Sequence, residues 1–193
     1  MRNKINVKIN FAVGITIISI IFLMMTVSFF YTPYDTSEMD IGNKLSPPSN
    51  AHWFGTDNFG RDIFSRIIKG SQTAFLVGTI TVSIGLLVGV LIGSIAGYTG
   101  GIVDEVLMRI MDALMSFPGI LLALMFVAIW GVGITNTMIA LGILLIPRFA
   151  RITRGGFLQT KEMLYVKMAQ SMGVPHLRIM FVHILPNVIS PII

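Results

Sequence analysis

Long uncharged apolar runs alternate with short polar stretches along this chain. Three runs stand out: Ile9 to about Tyr34, Gly70 to Val103, and Ala113 to Pro147. A helix rises about 1.5 Å per residue and in lipid must bond all its backbone groups internally, so roughly 20 apolar residues cross about 30 Å of hydrocarbon. Each run is long enough. The third is too long for one crossing and is interrupted by Gly131-Val132-Gly133-Ile134-Thr135-Asn136, which suits a tight turn. It divides into helices near 115–130 and 135–150, which makes four spans and an all-α, polytopic transmembrane bundle.

The second run carries Gly85, Gly89, Gly93 and Gly97 at four-residue intervals, along one slowly drifting helix face. Small residues in this spacing let another backbone approach closely, which is how helices associate where lipid removes the hydrophobic force. Packing within the bundle and packing against a second subunit both fit that pattern.

Composition agrees with the pattern. Of 193 residues, 54% are apolar and only 12% charged, against about 25% charged in a soluble domain. The absence of cysteine removes disulfides and thiolate chemistry. The net charge of +5 raises the question of nucleic acid, but the basic residues lie between apolar runs, which is a membrane pattern. With the N-terminus inside, ten of the fourteen Lys and Arg fall on cytoplasmic segments and four (Lys44, Arg61, Arg66 and Lys69) on the outside. The positive-inside rule therefore puts the N-terminus in the cytoplasm. The basic start, with Arg2, Lys4 and Lys8, precedes an apolar run longer than a signal peptide uses, and no small-x-small cleavage pattern follows, so it reads as an anchor.

The first loop turns aromatic at Trp53, Phe54 and Phe59, and from Arg61 its apolar residues share one helical face with Asp62 and Arg66 four apart. That predicts a short interfacial helix ending at Gly70. A calcium loop is excluded, because Phe59 stands where an oxygen ligand is needed. In the second loop, Glu105, Arg109 and Asp112 form a charged stripe of i,i+4 and i,i+3 pairs. The third polar segment, Arg148 to His183, contains an amphipathic stretch at 161–172, stopped by Gly173 and followed by Pro175 at the first turn of a second helix. This glycine-elbowed knob exposes Met163, Leu164, Met168 and Met172, suited to a groove on a partner or, with its basic residues, to anionic lipid.

Taken together, Gly55-Thr56-Asp57-x-x-Gly60-Arg61-Asp62-x-x-Ser65-Arg66, Gly97-Tyr98-x-Gly100-Gly101-x-x-Asp104, Met108-Arg109-x-x-Asp112 and Phe117-Pro118 resemble the inner-membrane permeases of ABC importers for dipeptides, oligopeptides or nickel. The resemblance covers nearly the whole chain. It implies a type I importer permease fold of six spans, four of them present here. Residues 1–34 would form the cytoplasmic tail and first span, 35–69 the extracytoplasmic loop, and 70–193 the permease domain with its coupling loop near 148–186. In the family that loop reads Glu-Ala-Ala and then Gly; here Lys167-Met168-Ala169 stands in its place, with Gly173 retained and Tyr165, Leu185 and Pro186 around it. Lysine for glutamate reverses the sign of any charge pair with an ATPase. The chain stops at Ile193, where a fifth span would begin, so a fragment or truncated product is expected.

The resemblance also implies partners: a second homologous permease, two ATPase subunits and an extracytoplasmic binding protein, in the plasma membrane of a prokaryote. No phosphate loop, His-Glu-x-x-His or Gly-x-Ser-x-Gly motif is present, so the chain reads as a non-enzyme without a cofactor. His176 and His183 are seven apart but fall in the cytoplasmic knob, where no transport site is expected, and peptide is preferred to nickel as the substrate only on the breadth of the family resembled. A four-span anchor that transports nothing is the alternative from another class, as is an inactive remnant; the 55–66 motif and the knob speak for the permease.

Overall fold

A computed structural model describes residues 2–189; the side chains of residues 2–10, including the basic trio of the tail, and the last four residues lie outside what is described. Every regular element among the described residues is helical. The helices are α1 (Arg2–Ser28), α2 (Ile63–Thr99), α3 (Gly101–Ser116), α4 (Gly119–Trp130), α5 (Ile134–Thr160) and α6 (Leu164–Ser171), then α7 (His176–Arg178), a π turn (Ile179–Ile184) and α8 (Leu185–Val188). Three of them, α1, α2 and α5, are long and apolar enough to cross a membrane, and the bent pair α3–α4 brings the number to four if it forms one span.

The predicted helices are recovered with shifted ends, and each shift has a local cause. The first span ends at Ser28 instead of Tyr34, and Pro33 lies just beyond, restricting its neighbour to extended backbone. The separate interfacial helix does not exist: α2 runs unbroken from Ile63 for 37 residues, straight through Gly70. A single glycine weakens a helix interior by only about 1 kcal/mol and cannot end a helix supported on both sides. The helix expected at 115–130 starts at Gly119, because Pro118 has no N–H to donate and holds Phe117 extended at φ −88°, ψ 140°. That break bends α3 from α4 by 93°. The turn at 131–136 forms as expected, with Asn136 Nδ2 donating to the carbonyls of Trp130 at 2.8 Å and Gly131 at 3.0 Å. Beyond it α5 continues ten residues past the predicted end near 150, since Ala150, Thr153 and Phe157 keep a buried face under the arginines.

The chain forms two compact units, residues 1–77 and 78–193. In the first, Phe22 of α1 meets Phe75 edge-on at 5.8 Å. In the second, α3 and α4 both pack on α5, and the core gathers Phe157, Val166, Ala169, Ile179, Met180, Ile184 and Val188.

Candidate functional site

Within the first unit, the 55–66 motif folds on itself. Gly55 and Gly60 both have φ in the left-handed region, at +73° and +77°. A β-carbon at Gly60 would stand 1.7 Å from the Asp40 carbonyl oxygen, so only glycine fits. Thr56 and Asp62 form an isolated antiparallel bridge that closes the loop, and the Thr56 hydroxyl donates to the Asn43 carbonyl.

Asp57 is the hub of this loop. Its carboxylate accepts the N–H groups of Phe59 at 2.8 Å and Arg61 at 3.1 Å, the Arg61 Nε at 2.9 Å, and the Arg66 guanidinium. Desolvation works against the charge, but these donors outweigh it and lower the pKa to about 2. Arg61 also stacks over Phe59 at 4.8 Å.

The anticipated Asp62–Arg66 pair does not form. Asp62 is buried and turns back over the first turn of α2, where it accepts the Ser65 N–H at 2.7 Å and faces His52 Nδ1 at 3.0 Å. Burial opposes its charge, yet the Ser65 and His52 contacts hold its pKa below the usual value. Ser65 in turn accepts the Tyr34 N–H at 3.2 Å. All eight motif residues thus lie in one latch at the start of α2.

In the second unit, the four spaced glycines lie against α5. Added β-carbons at Gly85, Gly89, Gly93 and Gly97 would come within 2.5 Å of Leu145 Cβ, 2.6 Å of Phe149 Cβ, 2.3 Å of the Ala150 carbonyl oxygen and 2.6 Å of Phe157 Cβ. The seam is therefore within the chain. Two ion pairs join α3 to α5. Arg154 grips Asp104 with Nε at 2.5 Å and Nη2 at 2.7 Å, and Arg151 reaches Asp112 at 2.6 Å. The predicted stripe is only partly realised: Glu105 pairs with Arg109 at 3.3 Å, while Asp112 is taken by Arg151 instead of Arg109.

The knob follows α5, which extends to Thr160, and its first helix, α6, starts at Leu164 rather than at Lys161. Helix α6 buries Val166 and Ala169 on the core and turns Met163, Leu164, Met168 and Met172 outward, with Leu164 75% and Met172 74% exposed. Lys167 pairs with Glu162 at 2.8 Å, and that hydrogen bond lowers the Glu162 pKa. Gly173, at φ +75°, closes α6, its N–H bonding the Gln170 carbonyl at 3.0 Å and that of Val174 bonding Ala169 at 3.1 Å. Pro175 caps α7 from just outside, one position earlier than predicted. The Tyr165 hydroxyl meets the His183 carbonyl at 3.3 Å and Asn187 at 3.1 Å. Leu185 is half-buried and Pro186 exposed in the first turn of α8.

His176 and His183 are not brought together as a pair. His176 Nδ1 bonds the Tyr98 hydroxyl at 2.6 Å, and His183 Nδ1 lies 3.2 Å from the Arg178 carbonyl. Among the described residues there is no cluster of three metal-ligating side chains. Among the contacts the sequence did not reveal, Asp104–Arg154 and Tyr98–His176 join residues 50 and 78 positions apart. Their only signal was that Tyr98 and Asp104 belong to one motif.

Comparison with known proteins gives a consistent picture. Residues 89–193 match the family described as "Binding-protein-dependent transport system inner membrane component". The chain is 39% identical over 177 residues to the "Glutathione transport system permease protein GsiD" of Pectobacterium atrosepticum, covering 90% of this chain and 59% of that protein. The proteins of the same name from Shigella flexneri serotype 5b and Escherichia coli O6:K15:H31 are 46% and 44% identical, each covering 90% of this chain and 58% of its own length. The chain therefore spans less than two thirds of these relatives.

Proposed function

This chain belongs to the family of binding-protein-dependent transport system inner membrane components, and on that premise we propose that it is a permease subunit of an ABC importer for small peptides, glutathione among them. It contributes α2 to α5 to the translocation pathway beside a second, homologous permease. Two ATPase subunits supply the energy, and an extracytoplasmic binding protein delivers the substrate. The asymmetry of basic residues supports an N-terminus in the cytoplasm, with the 55–66 latch outside and the knob inside.

The observation that carries the coupling role is the surface of α6. Met163, Leu164, Met168 and Met172 project from a short helix whose opposite face is anchored in a buried core. A rigid, apolar ridge at the end of a long span is what a docking lever needs, and methionine fits an irregular groove. Movement of the ATPases is passed through this lever, and the bundle opens alternately to each side. Peptide is preferred to nickel because the named relatives are glutathione permeases, and nickel finds no support among them.

Co-purification in mild detergent tests the reading. The unmodified chain should retain an ATPase subunit. Gly173→Pro should lose it with membrane insertion unchanged, since proline cannot adopt φ +75°. An unmodified chain that never retains an ATPase would defeat the proposal.

A further inference from the structure

The turn between α2 and α3 touches the base of the knob at several points. Gly97 lets α2 approach within van der Waals contact of α5: a β-carbon there would stand 2.9 Å from the Arg154 carbonyl oxygen and 3.2 Å from its Cα. One residue on, the Tyr98 hydroxyl and His176 Nδ1 share a 2.6 Å hydrogen bond, so the end of α2 holds the start of α7. At Gly100, the nearest neighbour a β-carbon would meet is the Lys161 ammonium at 3.6 Å, the first residue after α5. Asp104, in the first turn of α3, receives the Arg154 guanidinium on both carboxylate oxygens, and its side chain is only 14% exposed.

These contacts have a common geometry. Arg154, Lys161 and His176 mark the last turns of α5, the entry to α6 and the entry to α7, which together form the frame of the knob. Their partners all fall within the eight residues Gly97 to Asp104. A bidentate arginine–carboxylate pair fixes angle as well as distance, so it transmits a tilt where a single contact would let the elements pivot.

We propose that the 97–104 turn is the joint through which displacement of the knob is passed to α2 and α3, with Asp104 and Tyr98 as its positioning residues. The inference rests on the coupling reading above. It adds that α5 alone does not carry the motion: α2, welded to α5 by its glycine face, and α3, clamped by Asp104, tilt together with it.

The test uses the complete transporter with its ATPases in mild detergent. Trypsin cleavage after the exposed Lys44 in the loop before α2 is followed with and without MgATP and vanadate. In the unmodified transporter, trapped nucleotide should change the cleavage rate. Asp104→Asn should keep the ATPase bound and reduce that change about tenfold, the size of a typical coupling between distant sites, while Asp104→Glu keeps most of it. If Asp104→Asn fails to accumulate, Tyr98→Phe decides, because its ring still fills the same space; a weakened response supports the joint and an unaltered one overturns it. An undiminished response in Asp104→Asn would also overturn it, as would loss of the bound ATPase, because the pair would then hold the fold together rather than position the knob. If the unmodified transporter binds no ATPase, or shows no nucleotide response, the coupling reading itself fails and takes the joint with it.

Discussion

Gly93 and Ala150 meet backbone to backbone: a β-carbon on Gly93 would lie 2.3 Å from the Ala150 carbonyl oxygen. No real β-carbon sits so close to an oxygen, so α2 and α5 are nearer here than any other residue allows. In lipid, where apolar side chains gain nothing from leaving the solvent, this closeness is itself the source of association, through dispersion contacts along both backbones.

Gly93→Ala should therefore force the two helices apart. Overpacking of this kind costs about 1–3 kcal/mol. The thermal midpoint in detergent should fall clearly. Gly78, in the same helix with nothing within 4 Å of its β-position, is the control: Gly78→Ala should leave the midpoint unchanged or raise it slightly, since alanine favours the helix. Equal effects at both positions would mean that helix propensity, and not the seam, governs stability.

In the loop, Gly60→Ala meets two obstacles at once, the Asp40 carbonyl oxygen at 1.7 Å and a backbone at φ +77°. Each costs on the order of 1–3 kcal/mol. The latch should open locally while the helices persist. Faster trypsin cleavage after Lys44 and Arg61, with unchanged helical circular dichroism, is the expected result; unaltered cleavage would show that the loop tolerates a different path.

The sequence made the spans legible because lipid imposes a length and a composition that few other constraints mimic. It also disclosed the helix turn at Asn136 and the glycine elbow at Gly173, both set by local chemistry. It misplaced what depends on one residue's effect on a neighbour: Pro118 bending α3 from α4, and Gly70 failing to stop α2. Charged pairs were the hardest to read. Asp62 and Arg66 have helical spacing, yet each finds a better partner, the α2 N-terminus with His52 for one and Asp57 for the other. Asp104 and Arg154 are 50 positions apart and had no periodic signal at all.

The acid sensitivity of the latch follows from Asp57. Its carboxyl has an ordinary pKa of 3.8 and one of about 2 in the fold, so the ionised form favours the folded loop. That contribution is complete above about pH 4, shrinks as the pH falls through 3.8, and is lost below about 2. Asp62, lowered for similar reasons, acts in the same direction. Pulse proteolysis with an acid-active protease from pH 5 to pH 2 should show protection of residues 40–62 declining across this window. Asp57→Asn should be less protected at pH 5 and decline less steeply. A variant as well protected as the parent at pH 5 would remove Asp57 from its role as hub.

In the knob, folding and the proposed docking can be tested separately. Leu164 and Met168 are 75% and 56% exposed, so placing a carboxylate at either position removes no core contact. Surface changes of this sort usually alter stability by less than about 0.5 kcal/mol. If the ridge docks into an ATPase groove, however, a buried carboxylate at its centre would be left unpaired against apolar walls, and a loss of 1.4 kcal/mol already means about tenfold weaker binding. Leu164→Asp and Met168→Asp should thus keep the parent's thermal midpoint while co-purifying at least about tenfold less ATPase, a loss typical of a central interface residue. If ATPase recovery is unchanged and binding to anionic vesicles falls instead, the ridge is a lipid-facing surface.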